Sequence, residues 1–213
     1  MHCIFCTGAT IGCYLMSAEA LMMIVVMHCV LSNLFILKQV MLFSYVVTCA
    51  DPFTIGATVG LNLLQEFYGK KSAQHAIKIN ILLMIFYVIS CAIHLFYVPS
   101  TEDYTHPAYQ LLLQPAPRLV CASLITYAFV QTLDFYLYGF LKNYFFYLSM
   151  TIRNFISIAL CQAIDTIMFT CLGLWGHVAH LSHVIFVSYL VKLIAILIAM
   201  IVLHGFRKIK MQC

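Results

Sequence analysis

The sequence predicts an all-α, polytopic membrane protein: a single bundle of six transmembrane helices filling residues 1–213. Three observations predict it. Of the 213 residues, 64% are hydrophobic and only 8% charged, and the mean hydropathy is +1.00; soluble domains carry roughly 25% charged residues. The apolar runs are long and unbroken, matching the ~20 residues a helix needs to cross hydrocarbon rather than the short alternating segments of a β-barrel. The basic residues collect in alternate loops, as the positive-inside asymmetry of membranes requires. Six spans of that length leave short loops and no room for a soluble domain.

The first span is expected over Ile11 to Leu37, with Glu19 near its start. The tract from Lys38 to Asp51 is apolar but too short to cross alone. Asp51-Pro52 then breaks the chain, because the residue before proline avoids helical geometry, and a second span follows from Pro52 to Phe67. The third lies between Lys78 and Glu102, a stretch free of Asp, Glu, Lys and Arg. A polar loop with Glu102, Asp103, Pro107, Pro115 and Pro117 separates it from the fourth span, Arg118 to Phe140. The fifth runs from Met150 to Leu174 and the sixth from His183 to His204, ahead of a basic tail.

Loop charges set the orientation. Lys70, Lys71 and Lys78 follow the second span, Lys142 the fourth, and Arg207, Lys208 and Lys210 the sixth, whereas the intervening loops hold Lys38, Arg118 and the acids Glu102 and Asp103. Both termini are expected on the cytoplasmic side, which agrees with an even number of spans. Residues 1–15 lack the basic start of a secretory signal. Translation from Met16 or Met22 would make them a dispensable start-site extension, and no function is assigned to them.

Polar side chains at hydrocarbon depth carry the functional reading. A charge at the bilayer centre costs about 2.5–3.5 kcal/mol on insertion scales, so such residues face an interior and have partners. Glu66, Asp134, Arg153, Asp165 and Lys192 meet that description. In the fifth span Asn154, Ser157, Cys161 and Asp165 recur at helical spacing along one face, flanked by Arg153 and Gln162. Gln131 and Asp134 are three apart in the fourth span, Asn62 and Glu66 four apart in the second, and Lys192 stands three after Tyr189 in the sixth. These residues either tie helices together or line a shared polar cavity. Carboxylates, amides and an arginine among Tyr and Phe suit a flat polar heterocycle, held by aromatic faces and charge-assisted hydrogen bonds. A carboxylate accepts two N–H bonds side by side, which the edge of a guanine-like ring presents.

Other classes find little support. The ten cysteines form no CxxC pair and read as small packing residues. His177, His180 and His183 form an HxxHxxH pattern without a nearby Cys or carboxylate, and an interfacial loop is the default reading over a metal site. There is no phosphate-binding GxxxxGK[ST] loop, GxSxG elbow or HExxH pair, so neither an enzyme nor a cofactor is expected. The net charge of +4 is explained by membrane topology, and no nucleic-acid partner is expected.

Four segments in order resemble the queuosine precursor transporter (VUT) family. Leu63-Leu64-Gln65-Glu66-Phe67-Tyr68-Gly69-Lys70-Lys71-Ser72-Ala73 is similar to the family's "D-hydrophobic-x-x-E-x-Y-G-x-x-x-A" segment. Arg118, Ala122, Ser123, Tyr127, Gln131 and Asp134 resemble its "R…A-S…Q…D", and Arg153, Ser157, Gln162, Asp165, Thr166 and Phe169 its "R…S…(Q/N)…D-T…F". Tyr189 and Lys192 match its "Y-x-x-K". The resemblance spans residues 45 to 205, with Asn62 where the family usually carries an acid.

The resemblance implies import of 7-deazaguanine compounds across the bacterial inner membrane for synthesis of the tRNA base queuosine. The cargo would be the 7-cyano or 7-aminomethyl precursor, or queuine. It also implies a six-helix bundle similar in outline to the substrate-binding subunits of energy-coupling vitamin importers, and membership of such an importer is the alternative reading. In the expected site Glu66 and Asp165 grip the guanine-like edge. Asn62, Gln131 and Gln162 add amide contacts, Ser157 lies on the same stripe, Arg153 and Lys192 hold the acids in place, and Asp134 belongs to the cavity mouth. The expected partners are the small-molecule cargo, the lipid bilayer and a second copy of the chain in a homodimer.

Overall fold

The structure, a computed structural model, describes the backbone of residues 2–42, 44–145, 147 and 150–210, and most side chains as far as Leu197. Eight helices and one hairpin appear among the described residues. In order they are α1 (His2–Met16), α2 (Ala18–Phe35), β1 (Gln39–Leu42), β2 (Tyr45–Thr48), α3 (Asp51–Phe67), α4 (Lys70–Phe96), α5 (His106–Leu113), α6 (Ala116–Tyr144), α7 (Met150–Gly173) and α8 (Leu181–Lys210). Stretches within α2 (Ala18–Phe35), α4 (Lys71–Phe96), α5–α6 (His106–Val130) and α7 (Phe155–Gly173) are long and apolar enough to cross a membrane, and the described part of α8, Leu181–Ile194, is a shorter apolar helix. The chain is thus a helical, multi-pass membrane protein, with more elements than the six continuous helices expected.

The first departure is at Ser17. The span expected from Ile11 to Leu37 is two helices, because Ser17 adopts an extended backbone (φ −168°, ψ 169°) and its Oγ accepts from the Ala20 amide at 3.1 Å. A serine that satisfies an orphan helical N–H in this way starts a new helix rather than continuing the old one. The chain doubles back there. Rings of His2 and Phe53 stand 4.8 Å apart and those of Tyr14 and Phe67 5.1 Å, so α1 runs parallel to α3. The stacked rings of Phe35 and Phe53, 5.7 Å apart, show α2 antiparallel to both.

Without a hydrophobic drive between helices in lipid, small residues decide where backbones approach. Gly56 and Gly60, one turn apart on α3, provide that notch. A Cβ at Gly56 would stand 2.6 Å from His28 Nε2 of α2, and one at Gly60 would collide with the Val25 side chain. Thr10 of α1 closes the same junction: its Oγ1 stands 2.9 Å from the Cys6 carbonyl and 3.1 Å from His28 Nε2. Leu21, Val25, Leu63, Leu64, Ala73 and Ala76 pack beside it.

The second departure is the tract before α3. Residues 39–48 form an antiparallel hairpin pairing Gln39 with Thr48 and Leu42 with Tyr45, with Ser44 at φ 68° in the turn. Val40, Val46, Val47, Tyr45 and Thr48 are strand formers, and length alone could only exclude a spanning helix. Non-helical backbone survives beside a membrane when protein covers it. Here β2 packs on α8, and the Tyr45 ring meets those of His183 and Phe186 at 5.2 and 5.9 Å. Gln39 Nε2 donates to the His177 carbonyl at 3.2 Å. The third departure is α5, a short helix within the loop expected between the third and fourth spans, with a proline in its first turn.

The remaining helices close the bundle. Arg118 Nε donates to the Leu172 carbonyl at 3.0 Å, fixing α6 antiparallel to α7. A cluster of Ile36, Ala50, Leu119, Leu174 and Val184 gathers the ends of α2 and α7 with the starts of α3, α6 and α8 at one end of the bundle. From there α8 runs 30 residues away. His2, beside Phe53, and the far end of α8 therefore lie at opposite ends, whereas loop charges alone put both termini on one side. Along α4 the side chains of Leu82, Phe86, Ile89, Ile93 and Phe96 are exposed, an apolar face suited to lipid.

Candidate functional site

Directly beneath that end cluster, between α2, α3, α6, α7 and α8, is a cavity of about 110 Å³. The turns that meet there are rich in hydroxyls. Ser32 and Asn33 face it from α2, Thr48 from the hairpin, Thr54 from α3, and Ser123 and Thr126 from α6. Helix α7 contributes Asp165, Thr166, Phe169 and Thr170, which helical periodicity places on one side. Helix α8 contributes Val184, Ser188 and Lys192, three residues at steps of four.

One ion pair ties α7 to α8. Lys192 Nζ stands 2.8 Å from Asp165 Oδ2, and the two side chains are 15% and 28% exposed. The ammonium also donates to Thr166 Oγ1 at 3.1 Å, and that hydroxyl donates to the Gln162 carbonyl at 2.8 Å. The charge of each partner is thereby compensated at a depth where a lone charge is costly. Lys192 is the wall between two spaces, because a smaller hollow on its other side is lined by Ile55, Thr58, Asn62 and Gln162.

The structure brings together four of the nine residues singled out from the sequence: Asp165 and Lys192 at the main cavity, Asn62 and Gln162 at the adjoining hollow. Ser157 is buried within α7, two turns from Asp165. Arg153 is twelve residues before Asp165, about 18 Å along the helix, and does not line either space; its Nε is buried without a hydrogen-bond partner among the described residues. The Glu66, Gln131 and Asp134 side chains, and that of Asn154, lie outside the described residues. The sixth-span residue Tyr189, expected beside Lys192, also lines neither space; Ser188 does.

Asp51 is the residue that sequence reasoning read differently. Taken as half of a helix-breaking Asp-Pro pair, it is 9% exposed at the start of α3 and accepts from Ser188 Oγ at 2.8 Å, on the cavity wall. An acid between Ala50 and Pro52, within an otherwise apolar tract, was the available signal. The rings of His180 and His183 lie 4.9 Å apart, tilted by 39°. No group of three or more His, Cys, Asp or Glu is arranged to hold a metal ion among the described residues.

Residues 52–205 match the family described as "Putative vitamin uptake transporter". The chain belongs to that family. The transporter is also similar to a protein of Bacillus subtilis (strain 168) described as "Probable queuosine precursor transporter", with 30% identity over 176 residues that cover 80% of this chain and 76% of that protein. No solved structure matches it. The family region begins at Pro52 and ends inside α8, so it takes in the ion pair and Ser188, whereas the cavity residues Ser32, Asn33, Thr48 and Asp51 lie ahead of it.

Proposed function

We infer that the transporter imports queuosine precursors, 7-deazaguanine compounds such as the 7-cyano or 7-aminomethyl base or queuine, across the bacterial inner membrane for tRNA modification. The observation that carries this reading is the hydroxyl-lined cavity closed on one side by the Asp165–Lys192 pair, in a chain similar to a protein named for that cargo. The hydroxyls offer both donors and acceptors to the ring edge, and the Phe169 ring gives it an apolar face. In this reading Asp165, with Glu66, meets the donor edge of the ring, Asn62, Gln131 and Gln162 add amide contacts, and Asp134 stands at the mouth. Ser157 and Arg153 support α7 from below.

The end of the bundle carrying Lys70, Lys71 and Lys78 faces the cytoplasm, together with the basic tail of α8, so the cavity sits toward the outer face. A cationic cargo moving inward gains about 2.3 kcal/mol per 100 mV of inside-negative potential, close to fifty-fold, whereas a neutral one gains nothing from it. Two copies associating through lipid-facing helices would make a homodimer.

The test is tRNA queuosine content in cells that can neither make the precursors nor import them, fed each compound separately. Queuosine should appear only when the chain is expressed, and Asp165→Asn should lower it at limiting precursor. Equal queuosine without the chain would refute the reading. Uptake that appears only when ATP-driven partner subunits are co-expressed would instead make the chain the binding subunit of an energy-coupling importer.

A further inference from the structure

The cavity holds two carboxylates and one ammonium among its described residues, and the ammonium is already committed. Lys192 donates to Asp165 at 2.8 Å and to Thr166 at 3.1 Å. Asp51, on the same cavity wall, is 9% exposed, and its Oδ2 takes one hydroxyl bond, from Ser188. Among the described residues no hydrogen bond reaches its Oδ1, and no cationic nitrogen lies within 4.0 Å of either oxygen. A carboxylate removed from water and served by a single neutral donor is only partly compensated here, since Lys192 acts on it from beyond ion-pair distance. The partial positive charge of the α3 N-terminus and Lys192 further along the cavity only partly offset the cost of burying its charge.

We propose that Asp51 and Ser188 form the subsite for a protonated amine on the cargo, so that the transporter prefers ammonium-bearing 7-deazaguanines over the 7-cyano compound. This rests on the queuosine-precursor reading and adds a cargo class and a determinant to it. An aminomethyl group is a cation with three N–H donors. It supplies both the rest of the counter-charge and a donor for Oδ1. A nitrile is neutral and presents only an acceptor lone pair, which repels a carboxylate. Asp165 cannot serve the same purpose, because Lys192 neutralises it. Ser188 sits one turn before Lys192 on α8, so the subsite and the ion pair stand side by side and the ring can lie across both.

The experiment compares uptake of radiolabelled 7-aminomethyl- and 7-cyano-7-deazaguanine at matched membrane expression, in cells lacking other carriers and precursor synthesis. The unaltered chain should take up the aminomethyl compound about tenfold faster, the scale of one charge-assisted hydrogen bond. Asp51→Asn should bring the ratio of aminomethyl to 7-cyano uptake close to one, Asp51→Glu should retain part of the preference, and Ser188→Ala should reduce it. If Asp51→Asn fails to reach the membrane, the Ser188→Ala ratio decides in its place. Equal uptake of both compounds by the unaltered chain, or variants that slow both compounds alike, would overturn the subsite and leave the queuosine-precursor reading intact. Failure of the unaltered chain to move either compound would overturn both.

Discussion

Lys192 Nζ lies 2.8 Å from Asp165 Oδ2, a bond that joins α7 to α8 and at the same time separates the main cavity from the hollow beside Asn62 and Gln162. Each partner is expensive to bury alone, so the pair responds asymmetrically to substitution. Lys192→Met should lower stability by about 2 kcal/mol, because it leaves Asp165 uncompensated. Asp165→Asn together with Lys192→Met should recover most of that. Thermal melting in detergent checks it, with additive losses in the double variant as the contrary result.

The glycine notch on α3 makes a second prediction. Because Gly60 faces Val25 with no space for a Cβ, and Gly56 faces His28, Gly60→Val should destabilise the bundle by about 1–3 kcal/mol through overpacking. Val25→Ala in the same chain should relieve part of the loss. The readout is the fraction of monodisperse protein recovered after a heating step, and an unaffected Gly60→Val protein would mean that α2 and α3 are not held this closely.

Removing residues 1–15 tests the start-site expectation directly. Cys6 and Thr10 are fully buried, and Thr10 bridges α1 to His28 of α2. A chain beginning at Met16 should therefore give less folded protein and a lower melting temperature than the full chain. Equal yields and melting would restore residues 1–15 to a dispensable extension.

Ser17 should matter out of proportion to its size. Loss of its cap on the Ala20 amide in Ser17→Ala should cost about 1 kcal/mol, whereas Ser17→Asn, which can accept the same bond, should cost far less. Equilibrium unfolding in mixed micelles separates the two variants, and indistinguishable midpoints would contradict the cap.

The helical, membrane-spanning character was legible because hydrocarbon imposes one requirement on every residue of a span, and composition records it. Helices α3 and α7 began and ended close to where prolines, glycines and charges said they would, whereas α4 starts at Lys70, eight residues ahead of the expected boundary, and α5 was read as loop. What periodicity could not supply was tertiary choice. Ser17 reads as one more small residue inside an apolar run until its hydroxyl is seen to compete for an amide. The sequence reading passed over Gly56 and Gly60, and nothing local to them says which helix fills the notch they leave. At the site, Asp165 and Lys192 stood out because a charge at that depth must find a partner. Asp51 did not, because a proline beside it offered a sufficient local reason for its presence. Ser188 carried no signal of its own and became visible only through the oxygen it meets.

The course of α1 has a practical consequence. Since it lies alongside α3 with His2 beside Phe53, a reporter fused ahead of His2 emerges at the hairpin end of the molecule, and one fused after α8 emerges at the other. Alkaline phosphatase, which is active only outside the cytoplasm, and green fluorescent protein, which fluoresces only inside it, would then give opposite answers at the two ends of one polypeptide.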